Sequence, residues 1–473
     1  MIGTRTSLSV AASASFALLV AACGDSGGNP QTGGPVAQAL FVAHDGFIAS
    51  YDVATGAERA GTLPNVTGPV DMQSFDDGHL MVNLTGRNEV LIFDGKTMLE
   101  KTRLPSSSMG AMRPVHSYIS PEIGGRSFWI SFNDGAENMP ATNSALFVDC
   151  KGSSSTYHQS MGEVALGVGH HKAAFSTTQA RVVISNIADC ADVLSVYDYS
   201  NPAAITRIAT RSAAELGWDG SSFPKTCDAT YQNGLPPAPH GCATSTATGK
   251  VFCNLTGSGE IVVVDIDAAT PTFKSLATNG AGGGYTKASP DGHYIYSLQS
   301  DPREGNTNLP GATCQIGQLV VIDALTETVA AQLPLLYKGA GCTEAITGTL
   351  AVSNEAGHIR ISPAGKTLFI AVGGGFGVAD AISDQEIVVD TTVPASPVLK
   401  PSITVGQGTS HRADALSGDG KSVFVVNNVA GSVTQIDVAT ATVVRTFTTM
   451  AKPQTIAIWG TAEGAGEQTG PGH

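Results

Sequence analysis

From residue 38 onward, apolar residues fall in short runs of about four to six, broken by Gly, Asp, Asn, Ser and Pro. That is the pattern of half-buried or buried strands joined by tight turns. Residues 410–459 show it most clearly. Ser410-His411-Arg412-Ala413-Asp414-Ala415-Leu416 runs into Ser417-Gly418-Asp419-Gly420, and then into Lys421-Ser422-Val423-Phe424-Val425-Val426-Asn427-Asn428. Ser432-Val433-Thr434-Gln435-Ile436-Asp437 and Thr442-Val443-Val444-Arg445-Thr446-Phe447 complete the unit. The spacing predicts four antiparallel strands. One such sheet cannot bury both of its faces alone, so it requires neighbours of the same kind.

The neighbours are in the chain. A β-branched or aromatic residue followed by Asp closes the third strand of each unit, at Tyr51-Asp52, Phe93-Asp94, Val148-Asp149, Tyr197-Asp198, Val264-Asp265, Ile322-Asp323, Val389-Asp390 and Ile436-Asp437. A first-strand turn recurs as Ser289-Pro290-Asp291-Gly292, Ser362-Pro363-Ala364-Gly365 and Ser417-Gly418-Asp419-Gly420, with looser forms at Phe75–Gly78 and Ser245–Gly249. Repeats about 42 to 67 residues apart suit a propeller with insertions. The expectation is an all-β, eight-bladed β-propeller, with seven blades as the alternative. Residues 38–63 supply three strands only, and Gln454-Thr455-Ile456-Ala457-Ile458-Trp459 supplies the missing one. The two ends then share a blade and close the ring without a long exposed edge. This sets the boundaries: a leader at 1–22, a linker at 23–37, the propeller at 38–460 and a disordered tail at 461–473.

In an up-and-down blade, the turns after strands one and three lie on one face. The turn after strand two and the crossover lie on the other. The first class is short throughout. The second holds the insertions at 134–143, 187–192, 210–238, 301–316, 338–356 and 372–386. One face is plain and one elaborated, and function concentrates on elaborated loops over a rigid frame.

Composition narrows the setting. Arg5, the apolar run through Phe16-Ala17-Leu18-Leu19-Val20 and the close Val20-Ala21-Ala22-Cys23 resemble the signal and lipobox of bacterial lipoproteins. The resemblance implies a lipid anchor on Cys23. With Gly24 rather than Asp after it, it implies an outer-membrane protein facing the periplasm or the cell surface. The chain has 26 Lys and Arg against 40 Asp and Glu. Without the leader its net charge is about −15, which argues against nucleic acid as a partner. Of eight cysteines, seven come after Cys23, and outside the cytoplasm they are expected in disulfides with one thiol left over. Cys314–Cys342, Cys242–Cys253 and Cys190–Cys227 are the expected pairs. Cys227–Cys253 is the rival pairing, and Cys150, at the plain face, is the candidate odd thiol.

Candidate chemistry comes from histidine. The inner strands begin near Asp71, His116, His171, His240, Tyr285, His358, His411 and Gln454, and His170 precedes His171. Inner-strand starts ring the channel mouth on the elaborated face, and Pro69-Val70-Asp71 matches Pro114-Val115-His116 one blade on. Imidazoles and a carboxylate converging from several blades suit Zn²⁺ or Cu²⁺. The same histidines would also serve as ordinary cross-blade hydrogen-bonding groups. Alternation along each strand points some of the rings into the blade wall.

The strand-turn-strand units, such as Ser417–Asn427 with Val433–Thr440, resemble the bacterial YVTN-type propeller repeat, which indicates fold and not function. A narrower resemblance, to periplasmic zinc-metallochaperone propellers that serve zinc ABC transporters, rests on Ala43-His44-Asp45, Val115-His116, His170-His171, and Cys227 with His240-Gly241 and Cys253. It implies zinc at His116, His171 and His240, with His170, His411 and Asp71 as further candidates and a metal-transport component of the envelope as partner. Residues 24–37 lack the His-rich segment of those chaperones. The alternative is a non-catalytic platform docking an envelope protein or a glycan. An enzyme is not expected. Quinone-cofactor propellers resemble one another in a docking Trp in nearly every blade, and this chain has three Trp. No Cys-x-x-Cys-His occurs for covalent haem. A haem d1-type carrier and a lactonase-like enzyme are the remaining rivals. The run Gly373–Gly377 precedes no helix and is no phosphate cradle.

Overall fold

These short apolar runs become eight antiparallel sheets arranged as a propeller. The computed structural model describes residues 39–459 apart from 75–77, 136–142, 170, 188, 218–238, 256–259, 279–284, 301–313, 339–358, 372–383, 409–412 and 450. Blade 1 pairs Pro453–Ile458 with Ala39–His44, Gly46–Asp52 and Glu58–Val66, so the two ends of the propeller share it as expected. Ile458 lies opposite Leu40 and Ile456 opposite Val42. The inner strands of blades 2 to 8 are Pro69–Ser74, Pro114–Ile119, Ala173–Phe175, Pro239–Thr244, Thr286–Ala288, Ile359–Ile361 and Asp414–Leu416. Each starts within a few residues of its expected position, and the seven-blade alternative is excluded.

Strand Ala39–His44 shows how the core is built. Leu40 and Val42 pack toward blade 8 against Ala415, Phe424 and Val433, while Ala39, Phe41 and Ala43 pack toward blade 2 against Met72, Leu80 and Phe93. Both faces are buried between blades, so the strand is apolar at nearly every position, as in any sheet covered on both sides. Blade 7 has a split outer edge, Val398–Leu399 and Ile403–Thr404, both paired to Gln385–Asp390. Pro401 sits in the gap, where a residue without an N–H cannot continue the ladder.

The turns explain the repeat. Every one of the eight strand-ending aspartates accepts a backbone N–H from the turn after it. Asp52 takes Thr55, Asp94 takes Lys96, Asp149 takes Lys151, Asp198 takes Ser200, Asp265 takes Ala268, Asp323 takes Leu325, Asp390 takes Thr392 and Asp437 takes Thr440. A carboxylate that mimics a backbone acceptor is what such turns select. The first-strand turns use serine in the same way: Ser289, Ser362 and Ser417 hydroxyls accept the N–H of Tyr294, Thr367 and Ser422. Gly420 ends the last of these turns at φ 67°, against Pro363 of the preceding blade.

Cys242 and Cys253 face each other across the first two strands of blade 5 and form a disulfide, with Cα atoms 4.1 Å apart. This overturns the rival Cys227–Cys253 pairing. Cys190 is disulfide-bonded. Cys227, Cys342 and the side chain of Cys314 lie outside the described residues, as do Cys23 with its leader, the linker and the tail. Cys150 is a buried thiol whose Sγ lies 3.3 Å from Ser127 Oγ.

Candidate functional site

Four inner strands open with proline: Pro69, Pro114, Pro239 and Pro453. In all four the register to the neighbouring strand slips by one residue directly after the proline. The bulge re-aims the side chains beyond it, and Asp71, His116, Gly241 and Thr455 become equivalent positions at the mouth.

An inner strand presents an unpaired backbone edge to the channel, and polar side chains of adjoining blades satisfy it. Asp71 Oδ2 accepts hydrogen bonds from Ser117 N at 2.8 Å and Ser117 Oγ at 3.0 Å. Asn83 Nδ2 donates to His116 O at 3.0 Å, and Gln73 Nε2 to Ser117 O at 3.2 Å. Asp71 is fully buried, and its Oδ1 has no hydrogen-bond partner among the described residues. Burial pushes the Asp71 carboxyl up to about 7, opposed by the Ser117 hydrogen bonds and the Lys172 amino group.

The histidines converge one blade further on, around Asp134 at the end of strand Phe128–Asp134. His171 Nδ1 lies 3.0 Å from Asp134 Oδ1, and His171 Nε2 donates to Gly167 O at 3.0 Å. His116 Nε2 lies 4.0 Å from Asp134 Oδ2. Between them comes Lys172, 2% exposed, with Nζ 3.3 Å from His116 Nε2 and 4.9 Å from the ring centre of Tyr285 in blade 6. Burial pulls the Lys172 amino group down to about 7, against the carboxylates of Asp134 and Asp71. Tyr118, buried beside Tyr285, Asp71 and Asp134, is pushed well above its ordinary value, first by burial and then by those neighbours. On the far side of the ring Arg360 of blade 7 pairs with Asp414 of blade 8, Nε to Oδ1 at 3.0 Å, and also donates to Asp414 O at 2.7 Å. His44, at the mouth end of blade 1, donates from Nδ1 to Lys452 O at 3.1 Å and stacks on Phe47.

Zinc needs imidazole lone pairs aimed at one point. Both ring nitrogens of His171 meet oxygens of the protein, and a nitrogen donating a hydrogen bond has no lone pair for a metal. His116 Nε2 faces the Lys172 amino group, and Asp71 is directed to Ser117. Among the described residues no group of three or more His, Cys, Asp or Glu is placed to hold an ion, so the donors seen here do not fit zinc. The structure brings His116 and His171 together on Asp134 but not with Asp71. His170, His411 and the side chain of His240 lie outside the described residues.

Asp134, Lys172, Arg360 and Asp414 are absent from the set that the sequence singles out. Three carry a signal: Lys172-Ala173-Ala174-Phe175, Ile359-Arg360-Ile361 and Asp414-Ala415-Leu416 each place a charge in a short buried strand, where it demands a partner. Asp134 carries none, because it adjoins an insertion.

No protein-family model matches the chain, and no curated protein matches it in sequence. Solved structures do resemble it. Apo AztD from Citrobacter koseri is 12% identical, with a TM-score of 0.54 over 89% of this chain and 98% of that one. A protein from Lactobacillus plantarum is 13% identical, with a TM-score of 0.50 over 89% and 98%. Dihydro-heme d1 dehydrogenase NirN, solved with DHE, is 12% identical, with a TM-score of 0.50 over 84% and 74%. At these identities the likeness shows a shared propeller fold.

Proposed function

We propose that this chain is a non-catalytic binding propeller of the cell envelope, anchored by lipid on Cys23. Its elaborated face would dock a protein or glycan of that compartment, and the mouth histidines would serve the architecture. The observation that carries this reading is Lys172. Its amino group faces His116 Nε2, on the side from which a metal would have to approach that nitrogen, with the carboxylates of Asp134 and Asp71 acting on it. The described strand ends that flank the long connections, such as Asp134 and Ala371, lie at the end of the ring where the inner strands begin, which supports the docking part.

The rival reading is zinc held at the mouth, as the resemblance to zinc-metallochaperone propellers implies. One observation favours it: His116 and His171, from different blades, both reach Asp134. The two readings separate in the metal content of protein purified without chelator. The docking reading predicts no zinc whose retention depends on His116 or His171. Stoichiometric zinc in the wild type, lost in His116→Ala and His171→Ala, would overturn it.

A further inference from the structure

The long connections gather at the mouth, but the exposed apolar side chains do not. Among the described residues eight large apolar side chains are exposed. Six of them, Leu99, Leu325, Val393, Val398, Val443 and Val444, sit in the turn after a third strand or in the first three residues of a fourth strand. Those positions belong to the plain face. They come from blades 2, 6, 7 and 8, which with blade 1 form one continuous arc of the rim. Among the described residues, blades 3, 4 and 5 contribute none. Single exposed apolar residues are ordinary on any protein, whereas a collection on one side of one face marks a contact surface.

From this arrangement we infer that the plain face rests on the surface of a lipid bilayer. The rim of blades 6, 7, 8, 1 and 2 dips into the headgroup layer, and the mouth is turned away from the membrane. The inference deepens the docking proposal and rests on its lipid anchor at Cys23. Strand Ala39–His44 begins at the plain face, where Trp459 N donates to Ala39 O at 3.0 Å. The chain from Cys23 therefore enters the propeller at blade 1, inside the arc. Sixteen residue steps separate Cys23 from Ala39, a reach of at most about 55 Å. The tether keeps the propeller near the bilayer, and the apolar rim selects the face that meets it. A lipid anchor holds more firmly when a second contact of this kind accompanies it.

The chain's own ends are not suited to cover the rim instead. Residues 24–38 carry one large apolar residue, Val36, and residues 460–473 carry none. Carboxylates next to the exposed apolar side chains are compensated. Asp94 pairs with Lys101 at 3.3 Å and Asp390 with Lys400 at 3.0 Å, while Asp323 and Asp437 accept turn N–H groups. At the same face Lys96 Nζ stands 4.9 Å over the Trp459 ring. Both residue types suit a headgroup layer, the indole by its amphipathic ring and the lysine by its apolar stem and charged tip.

The test uses the chain purified from membranes, with lipid on Cys23 read by mass spectrometry of its N-terminal peptide. The protein is reconstituted into phosphatidylcholine vesicles with and without brominated acyl chains, which quench a tryptophan that sits in the lipid. Added tryptophans report the two faces: Leu325→Trp and Val443→Trp on the rim, Met109→Trp and Val429→Trp at the mouth end, each checked by circular dichroism. Fluorescence beyond that of the wild type should be quenched by brominated lipid in both rim variants and in neither mouth variant. Adding Val393→Glu and Val444→Glu to Leu325→Trp should remove that quenching while the anchor keeps the protein on the vesicles. Quenching at the mouth positions, or at both faces alike, would overturn the inference. Lipidated protein with no quenching on the rim would overturn it too, and would leave the anchor and the docking proposal standing. A chain without lipid on Cys23 would overturn the anchor and this inference together.

Discussion

Lys172→Met is the sharpest perturbation of the mouth. Met keeps the length and apolar stem of the lysine and removes the amino group. Burial lowers the Lys172 amino group from its ordinary 10.5 to about 7. Between those two pH values the unfolded chain holds a proton there that the folded chain does not, so folded-state stability climbs as pH rises through the window. A shift of this size corresponds to on the order of 3–5 kcal/mol across the full window, allowing for coupling to Asp71 and Asp134. Met carries no proton and abolishes the climb. The assay is guanidinium unfolding of wild type and variant at several pH values from about 7 to 10, the window the lysine shift defines, monitored by tryptophan fluorescence, since Trp129 is fully buried in blade 3. Groups common to both proteins cancel in the difference. Lys172→Met should exceed the wild type most near the lower end of that window, and the gap should narrow steadily toward the upper end. Parallel curves would refute the reasoning, because they would mean that the Lys172 amino group is solvated and the mouth is not closed around it.

Asp71→Asn should show the opposite sign. The folded chain holds a proton on Asp71 between about pH 4 and 7 that the unfolded chain has released, so wild-type stability falls as pH rises through that window. Asn still accepts from Ser117, and unfolding measured across the same window should show the fall removed. Gly420→Ala and Gly431→Ala test blade packing as a pair. Both glycines have positive φ, 67° and 66°, but a Cβ on Gly420 would come 2.1 Å from Pro363 Cγ, whereas one on Gly431 meets nothing within 4 Å. Gly431→Ala should cost about 1 kcal/mol and Gly420→Ala about 2–3 kcal/mol, read from unfolding midpoints. Replacing Cys242 and Cys253 together by Ala should cost about 2–3 kcal/mol for the short loop they close, in the same assay.

The fold was legible because its determinants are local. Asp at the end of a third strand and Ser at the head of a first turn each satisfy N–H groups a few residues away, so each blade repeats the same short grammar. Closure was legible because three strands at one end and one at the other complete a single sheet. The site was less legible for a physical reason. The slip after Pro69, Pro114, Pro239 and Pro453 offsets the side-chain alternation by one residue, and such a slip reverses which face a residue takes. Strand starts could be counted, but the direction of Asp71 or His116 could not. The partners that close the mouth come from sequence-distant segments: Lys172 meets His116 across 56 residues and Tyr285 from two blades on. Lys172 stands beside His116 only once the two blades are packed together.

The central claim is that the channel mouth is filled from within by Lys172 and needs no metal. Elemental analysis of the protein purified without chelator, beside His116→Ala and His171→Ala, tests it most directly. The account predicts that neither substitution changes the zinc content. Zinc at one equivalent in the wild type, falling to background in both variants, would contradict it.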